Sequence, residues 1–191
     1  GAHGLTDGHI FNRDLDRKYV MVERADGIYL YDRDGREIID GASGAAVVAL
    51  GHNNERIIKV LCEQARKISF AHASAFTSEP MLRLSHELVK HAPRRLDRVY
   101  FASGGSEAVE TSLKLARQYH TERGNTQKYK VISRSISYHG ATIGALSMTG
   151  HYARKRKYMP LLAQFPRIPT PYCWRCPYHK NPKSCDFECA Y

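Results

Sequence analysis

Between Phe101 and Glu110 the chain reads Phe101-Ala102-Ser103-Gly104-Gly105-Ser106-Glu107-Ala108-Val109-Glu110, two adjacent glycines bracketed by serines. Glycine lets backbone N–H groups approach an anion closely, and serine hydroxyls add further donors. A helix beginning here would aim its unpaired first-turn amides and the positive end of its dipole at the same point. The segment is suited to hold a phosphate, with Glu107 and Glu110 as acidic residues that suit the same helix end. The glycines taken alone would fit a tight turn and a cap equally well. The chain contains neither a P-loop signature nor a dinucleotide glycine fingerprint, which points to an isolated phosphate-bearing ligand.

A second loop, Ser137-Tyr138-His139-Gly140, follows the run Tyr129-Lys130-Val131-Ile132-Ser133. If that run is a strand of an open α/β sheet, the loop lies at its carboxyl end, where such sheets bind ligands. A tyrosine there can stack on a planar heterocycle. His139 can hydrogen-bond near that ring or be held by its own loop. Farther on, Cys173-Trp174-Arg175-Cys176 and Cys185-Asp186-Phe187-Glu188-Cys189 form C-x2-C and C-x3-C pairs with His179 between them. Four thiolates at that spacing could close a tetrahedral zinc site, and disulfides compete, less favoured in a reducing compartment. Pro177, Pro182 and Lys183 suit a surface excursion. The reading adopted is a structural loop without metal, with zinc as its alternative.

These loops need elements to position them. Ile28-Tyr29-Leu30-Tyr31 and Glu37-Ile38-Ile39 flank Asp32-Arg33-Asp34-Gly35, where Asp-Gly supplies the positive φ angles of a tight hairpin. Asn53 or Asn54 can cap a helix carrying Ile57, Leu61, Ala65 and Ile68 at helical spacing, with Cys62 as a small core residue beside them. Ser78-Glu79-Pro80 starts a second helix through Leu82, Leu84, Leu88 and Val89, which Pro93 ends. Val99-Tyr100-Phe101 reads as a short buried strand before a helix from about Glu107 to Tyr119, and Tyr129–Ser133 as a strand before a small-residue helix. Alternation of strand and helix implies a parallel sheet between helices.

With 191 residues, 42% hydrophobic and 25% charged, the chain has the composition of a globular protein with a real core. Residues 1–16 show no secretory leader, and Gly1-Ala2-His3-Gly4 reads as a cloning remnant. No apolar run approaches the roughly 20 residues that cross a bilayer, so the expectation is a cytoplasmic protein without membrane partners. The net charge of +10 is mostly scattered. Its one dense cluster, Arg154-Lys155-Arg156-Lys157, is expected to be a solvated face, not a nucleic-acid surface.

The run Ser103-Gly104-Gly105-Ser106-Glu107-Ala108-Val109-Glu110, followed by Lys114-Leu115-Ala116-Arg117, resembles the phosphate-cradle segment of class III aminotransferases. Tyr138-His139-Gly140 resembles their cofactor-stacking loop, and Ile39-Asp40-Gly41-Ala42-Ser43-Gly44 with Leu50-Gly51-His52 their N-terminal segment. The resemblance implies a three-layer α/β/α, fold type I domain present in part (residues 51–191), preceded by a small α+β segment with a hairpin (1–50). It implies pyridoxal 5′-phosphate held by Gly105 and Ser106, with Gly104 assisting, and stacked on Tyr138. Ala46 would line the substrate pocket, and Phe76 that of the neighbouring subunit in a homodimer. The implied reaction is a ping-pong transfer from an ω-amino acid or amine to pyruvate or 2-oxoglutarate. The family's Schiff-base lysine and its aspartate partner correspond to positions past Tyr191, so no lysine here is assigned a catalytic role, and a fragment of a longer protein is expected, with a truncated relative lacking transaminase activity as the alternative. A sheet cut midway would make such a chain poorly soluble. Two rivals stand beside this reading: a zinc-bearing binding module using the four cysteines, and a mutase or decarboxylase on the same scaffold.

Overall fold

The computed structural model describes residues 9–14, 16–181, 183–187 and 189, in two units, Gly1–Met81 and Leu82–Tyr191. The Gly1-Ala2-His3-Gly4 start, with Pro182 and Glu188 of the cysteine loop, lies outside the described residues.

In the first unit β1 (Val22–Asp26), β2 (Tyr29–Asp32) and β3 (Glu37–Ile39) form an antiparallel meander in that order. The expected Asp-Gly turn joins β2 to β3, but only Gly35 takes a positive φ, +77°. Asp32 builds the rest of the turn. Its Oδ1 accepts from Asp34 N at 3.1 Å and Arg36 N at 2.8 Å, and its Oδ2 lies 3.1 Å from Arg36 Nε. Gly27 closes the meander against the chain beyond it: Gly27 N donates to His52 O at 3.1 Å, and His52 N to Gly27 O at 2.8 Å.

Next, α2 (Glu55–Lys67) is capped by Asn54, whose side chain accepts from Ile57 N at 3.3 Å. The helical spacing was legible, but the expected core position of Cys62 is not found. No residue of α2 is buried and Cys62 is exposed, because among the described residues no element packs closely against that helix. Preceding it, α1 (Ser43–Ala46) is a single turn considered with the site below. The helix α3 (Glu79–His91) starts with Pro80 in its first turn, as expected.

The second unit continues with α4 (Gly105–Glu122), β4 (Ser133–Arg134), α5 (Ile143–Met148), α6 (Tyr152–Lys155) leading into a 3-10 turn at Arg156–Leu161, and β5 (Arg167–Ile168). β4 and β5 pair in parallel, Ser133 with Arg167 and Arg134 with Ile168. Two expected strands differ. Val99–Phe101 forms no ladder among the described residues, and only Ser133 of the Tyr129–Ser133 run does, joined by Arg134. A strand exists by its neighbour, and β5 offers two residues. The core gathers at α5, where Ala145, Leu146 and Met148 are buried along with Leu162.

Candidate functional site

The helix α4 can begin only after Gly104, which is extended at φ −167°, ψ 167° and caps without a side chain. Its first backbone bond runs from Ala108 N to Gly104 O, 3.0 Å. The amides of Gly105, Ser106 and Glu107 therefore have no acceptor within the helix. A Cβ added at Gly104 or Gly105 would meet nothing within 4 Å, so the space in front of these amides is open. With 18 residues behind it, α4 places a positive dipole end at that opening.

Ser106 joins the two loops singled out in the sequence. Its Oγ accepts from Ala141 N at 3.0 Å, which leaves the hydroxyl proton to donate to an anion. Gly140 makes the approach feasible: at φ +132°, a Cβ there would stand 2.6 Å from Ser106 Oγ and 2.9 Å from Ala145 Cβ. The loop is held from beneath by Thr149, which is fully buried. Thr149 Oγ1 accepts from His139 N at 3.0 Å and donates to Gly140 O at 3.3 Å or Ala145 O at 3.2 Å. Tyr138 keeps 57% of its surface exposed, with the Arg154 guanidinium 5.3 Å from its ring centroid. His139 Nε2 is buried and has no hydrogen-bond partner among the described residues. Such an atom is costly to leave unpaired, so it fits a ligand group.

Glu110, read as suiting the end of its own helix, serves another one. It lies beyond the first turn of α4, and its carboxylate accepts from Ala145 N at 3.1 Å in the first turn of α5. The Thr142 hydroxyl, then the Ala145 and Gly144 amides, hold this carboxyl below the usual range against the opposing effect of burial. A depressed carboxylate contributes stability above its unfolded pKa, about 4.3, and that contribution is lost as pH falls through the folded value. Glu110→Gln is expected to cost about 1–2 kcal/mol at neutral pH and to flatten the acid limb of stability. Urea unfolding at neutral and acid pH measures both.

In the basic run Arg154, Arg156 and Lys157 are exposed, as expected of a solvated face, and Lys155 is the exception. Lys155 is 6% exposed, and its Nζ donates to the carbonyls of Leu146 (3.4 Å), Ser147 (3.1 Å) and Thr149 (3.1 Å). The Arg167 guanidinium donates to Met148 O at 3.4 Å, Ser147 O at 3.0 Å and Thr149 O at 3.1 Å. Two cations thus cap the negative end of α5, the element that carries Ala145 and leads into Thr149.

Ala46 and Phe76 belong to the first unit. Ala46 ends α1, in which Ser43, Gly44, Ala45 and Ala46 take φ of 48°, 57°, 70° and 65°, a left-handed turn. Left-handed geometry costs about 1–2 kcal/mol per non-glycine residue, and such strain gathers at functional sites. Asp40 holds the turn: Oδ1 accepts from Gly44 N at 3.1 Å, and Oδ2 pairs with His52 Nε2 at 2.9 Å. The His52 bond first, and the Gly44 amide second, lower the Asp40 carboxyl below its usual range. Its contribution to stability is present above the unfolded pKa near 3.9 and lost as pH falls through the folded value. Asp40→Asn is expected to destabilise the turn at neutral pH and to remove that acid dependence, read by proteolysis of the segment at graded pH. Phe76 is 67% exposed.

A family model described as aminotransferase class-III matches residues 10–189. A Bacillus subtilis (strain 168) protein, uncharacterized aminotransferase YodT, is 39% identical over 167 residues, 87% of this chain and 38% of the relative. A leucine/methionine racemase of Thermococcus litoralis is 37% identical over 172 residues, 90% of this chain and 37% of the relative. A solved thermostable omega transaminase 4-fold mutant from Pseudomonas jessenii superposes with a TM-score of 0.84 at 29% identity, over 90% of this chain and 40% of that one. The chain thus spans under two fifths of the length of these curated relatives. Its fold is part of the fold type I transaminase domain. Matched from residue 10 to residue 189, the chain belongs to the class III aminotransferases.

Proposed function

We propose that the intact parent protein, with a Schiff-base lysine that these 191 residues do not supply, transfers an amino group from an ω-amino acid or amine to pyruvate or 2-oxoglutarate, using pyridoxal 5′-phosphate, as a cytoplasmic homodimer. Residues 1–50 form its N-terminal segment and residues 51–191 open its cofactor-binding domain. The observation that carries the reading is the open amide cradle at Gly104–Ser106, bonded through Ser106 Oγ to the loop that presents Tyr138 and His139. No helix among the described residues is long and apolar enough to cross a membrane.

The residues present fit the cofactor. Pyridoxal phosphate, when bound, supplies a protonated ring that accepts electron density from the amino donor. Gly104, Gly105 and Ser106 bind its phosphate through backbone amides and one hydroxyl proton. Tyr138 orients the ring by stacking, and His139 Nε2 supplies a hydrogen bond beside it. Ala46, a small residue, leaves room for the donor, and Phe76 lines the neighbouring subunit's pocket. Lys155 is not the proton carrier, since its ammonium is committed to three carbonyls.

The test is to incubate the intact parent protein with pyridoxal phosphate, remove the excess, and assay ω-amino donors against both keto acids. A retained yellow chromophore with nitrogen transferred to the keto acid supports the proposal. The racemase among the relatives defines the contrary outcome, solvent exchange of the donor's Cα hydrogen with no nitrogen transferred.

A further inference from the structure

The cysteine loop takes no part in the site described above. Cys173, Cys176, Cys185 and Cys189 are free thiols, and all four line one cavity of about 20 Å³. From Pro171 onward, the only described residues not exposed to solvent are Cys176, Cys185 and Cys189. Trp174 and Phe187 point the other way in burial, 83% and 67% exposed. A segment that part-shields three of its four cysteines, leaves Cys173 exposed and exposes its aromatics has no hydrophobic core of its own, and such segments are held by metals or disulfides.

Tight turns bring the two pairs together. Arg175 N donates to Tyr172 O and His179 N to Cys176 O, each at 3.1 Å, around the first pair. Ser184 N donates to Asn181 O at 3.0 Å just before the second. His179 and Phe187 take φ of 54° and 58°, left-handed strain that something in the loop must offset.

We propose that these four cysteines bind one zinc ion as a structural tetrathiolate site that ties the loop from Cys173 to Cys189 together. About 10–15 Å³ holds one water, so a cavity of about 20 Å³ has room for a single ion, which four thiolates would hold at Zn–S distances of about 2.3 Å. Four thiols around one cavity favour one shared ion over two separate disulfides. Among the described residues no three His, Cys, Asp or Glu side chains already stand in ligand geometry. Ligation therefore turns the thiol groups inward about χ1. Each thiol releases its proton to solvent as it binds, so affinity falls with pH. The centre carries two negative charges, which the loop's three basic residues, Arg175, Lys180 and Lys183, offset only in part beside the acidic Asp186 and Glu188.

Protein purified without chelators from zinc-supplemented cells is expected to carry about one zinc per chain, released in step as a mercurial titrates the thiols. Cys176→Ser and Cys185→Ser are each expected to abolish binding, whereas Cys62→Ser, on α2, leaves it intact. Should the loop variants not fold, cobalt added to metal-free wild type is expected to give thiolate charge-transfer bands and the d–d bands of a tetrahedral site. Protein that stays zinc-free with every thiol reactive, or that is isolated lighter by the hydrogens of two disulfides, overturns the proposal.

Discussion

Gly140→Ala is expected to lower stability by about 3–5 kcal/mol and to abolish retention of pyridoxal phosphate. Two penalties combine. The backbone at φ +132° lies where L-residues are strained, and the added Cβ would meet Ser106 Oγ at 2.6 Å, Ala145 Cβ at 2.9 Å and Ser106 Cα at 3.0 Å. The backbone Cα and the packed methyl cannot rotate away, so relief requires the loop to leave α4. That movement breaks the 3.0 Å bond from Ala141 N to Ser106 Oγ and withdraws Tyr138 from the cradle. Gly104→Ala is the matched contrast. Its backbone is extended, which any residue adopts, and its Cβ would meet nothing within 4 Å. It is expected to fold with little loss, yet to weaken cofactor binding roughly tenfold, about 1.4 kcal/mol, by occupying the space before the amides. Urea unfolding paired with cofactor titration separates the two. Equal stability of the Gly140→Ala variant and wild type would refute this account of the loop.

What was legible in the sequence was local. Asn54 as a cap, Pro80 in a first turn, Gly35 in the hairpin and the glycines before α4 each announce a backbone requirement through residue type alone. The strands were less legible, because pairing is a property of two segments. Val99–Phe101 has strand composition without a ladder among the described residues, while Arg134, unremarked in the sequence, gains one from Ile168. The two candidate loops stood out in the sequence because glycine and tyrosine carry chemistry on their faces. Their supports were missed because Glu110, Thr149 and Lys155 act across 35, 10 and 6 to 9 residues of chain, respectively. Lys155 was hidden further by its neighbours, since a four-residue basic run reads as surface. Asp40 sat within the recognised N-terminal run, but its partner His52 is 12 residues away.

Lys155→Met is expected to cost about 1–2 kcal/mol, and Lys155→Met combined with Arg167→Met more than the sum of the two single changes. The reason is shared acceptors. Both cations donate to Ser147 O and Thr149 O, so either can partly serve these carbonyls when the other is gone, and only the double variant leaves them buried without a donor. The pH dependence has an uncommon sign. Burial, and then the Arg167 charge, lower the Lys155 pKa. Between that lowered value and the unfolded value near 10.4, the unfolded chain binds more protons than the folded one, so this group's contribution to stability rises with pH. The difference in unfolding free energy between wild type and Lys155→Met should therefore widen as the solution is made alkaline, whereas a merely exposed lysine would give a constant difference. The effect reaches the site through Thr149, whose Oγ1 receives His139 N. Loosening the end of α5 is expected to weaken cofactor binding several-fold while leaving Ser106 and the amide cradle in place, and Lys155→Arg, which keeps the charge and the donors, should restore most of it. A Lys155→Met variant with unchanged cofactor affinity and a pH-independent stability difference would separate the cap of α5 from the ligand loop.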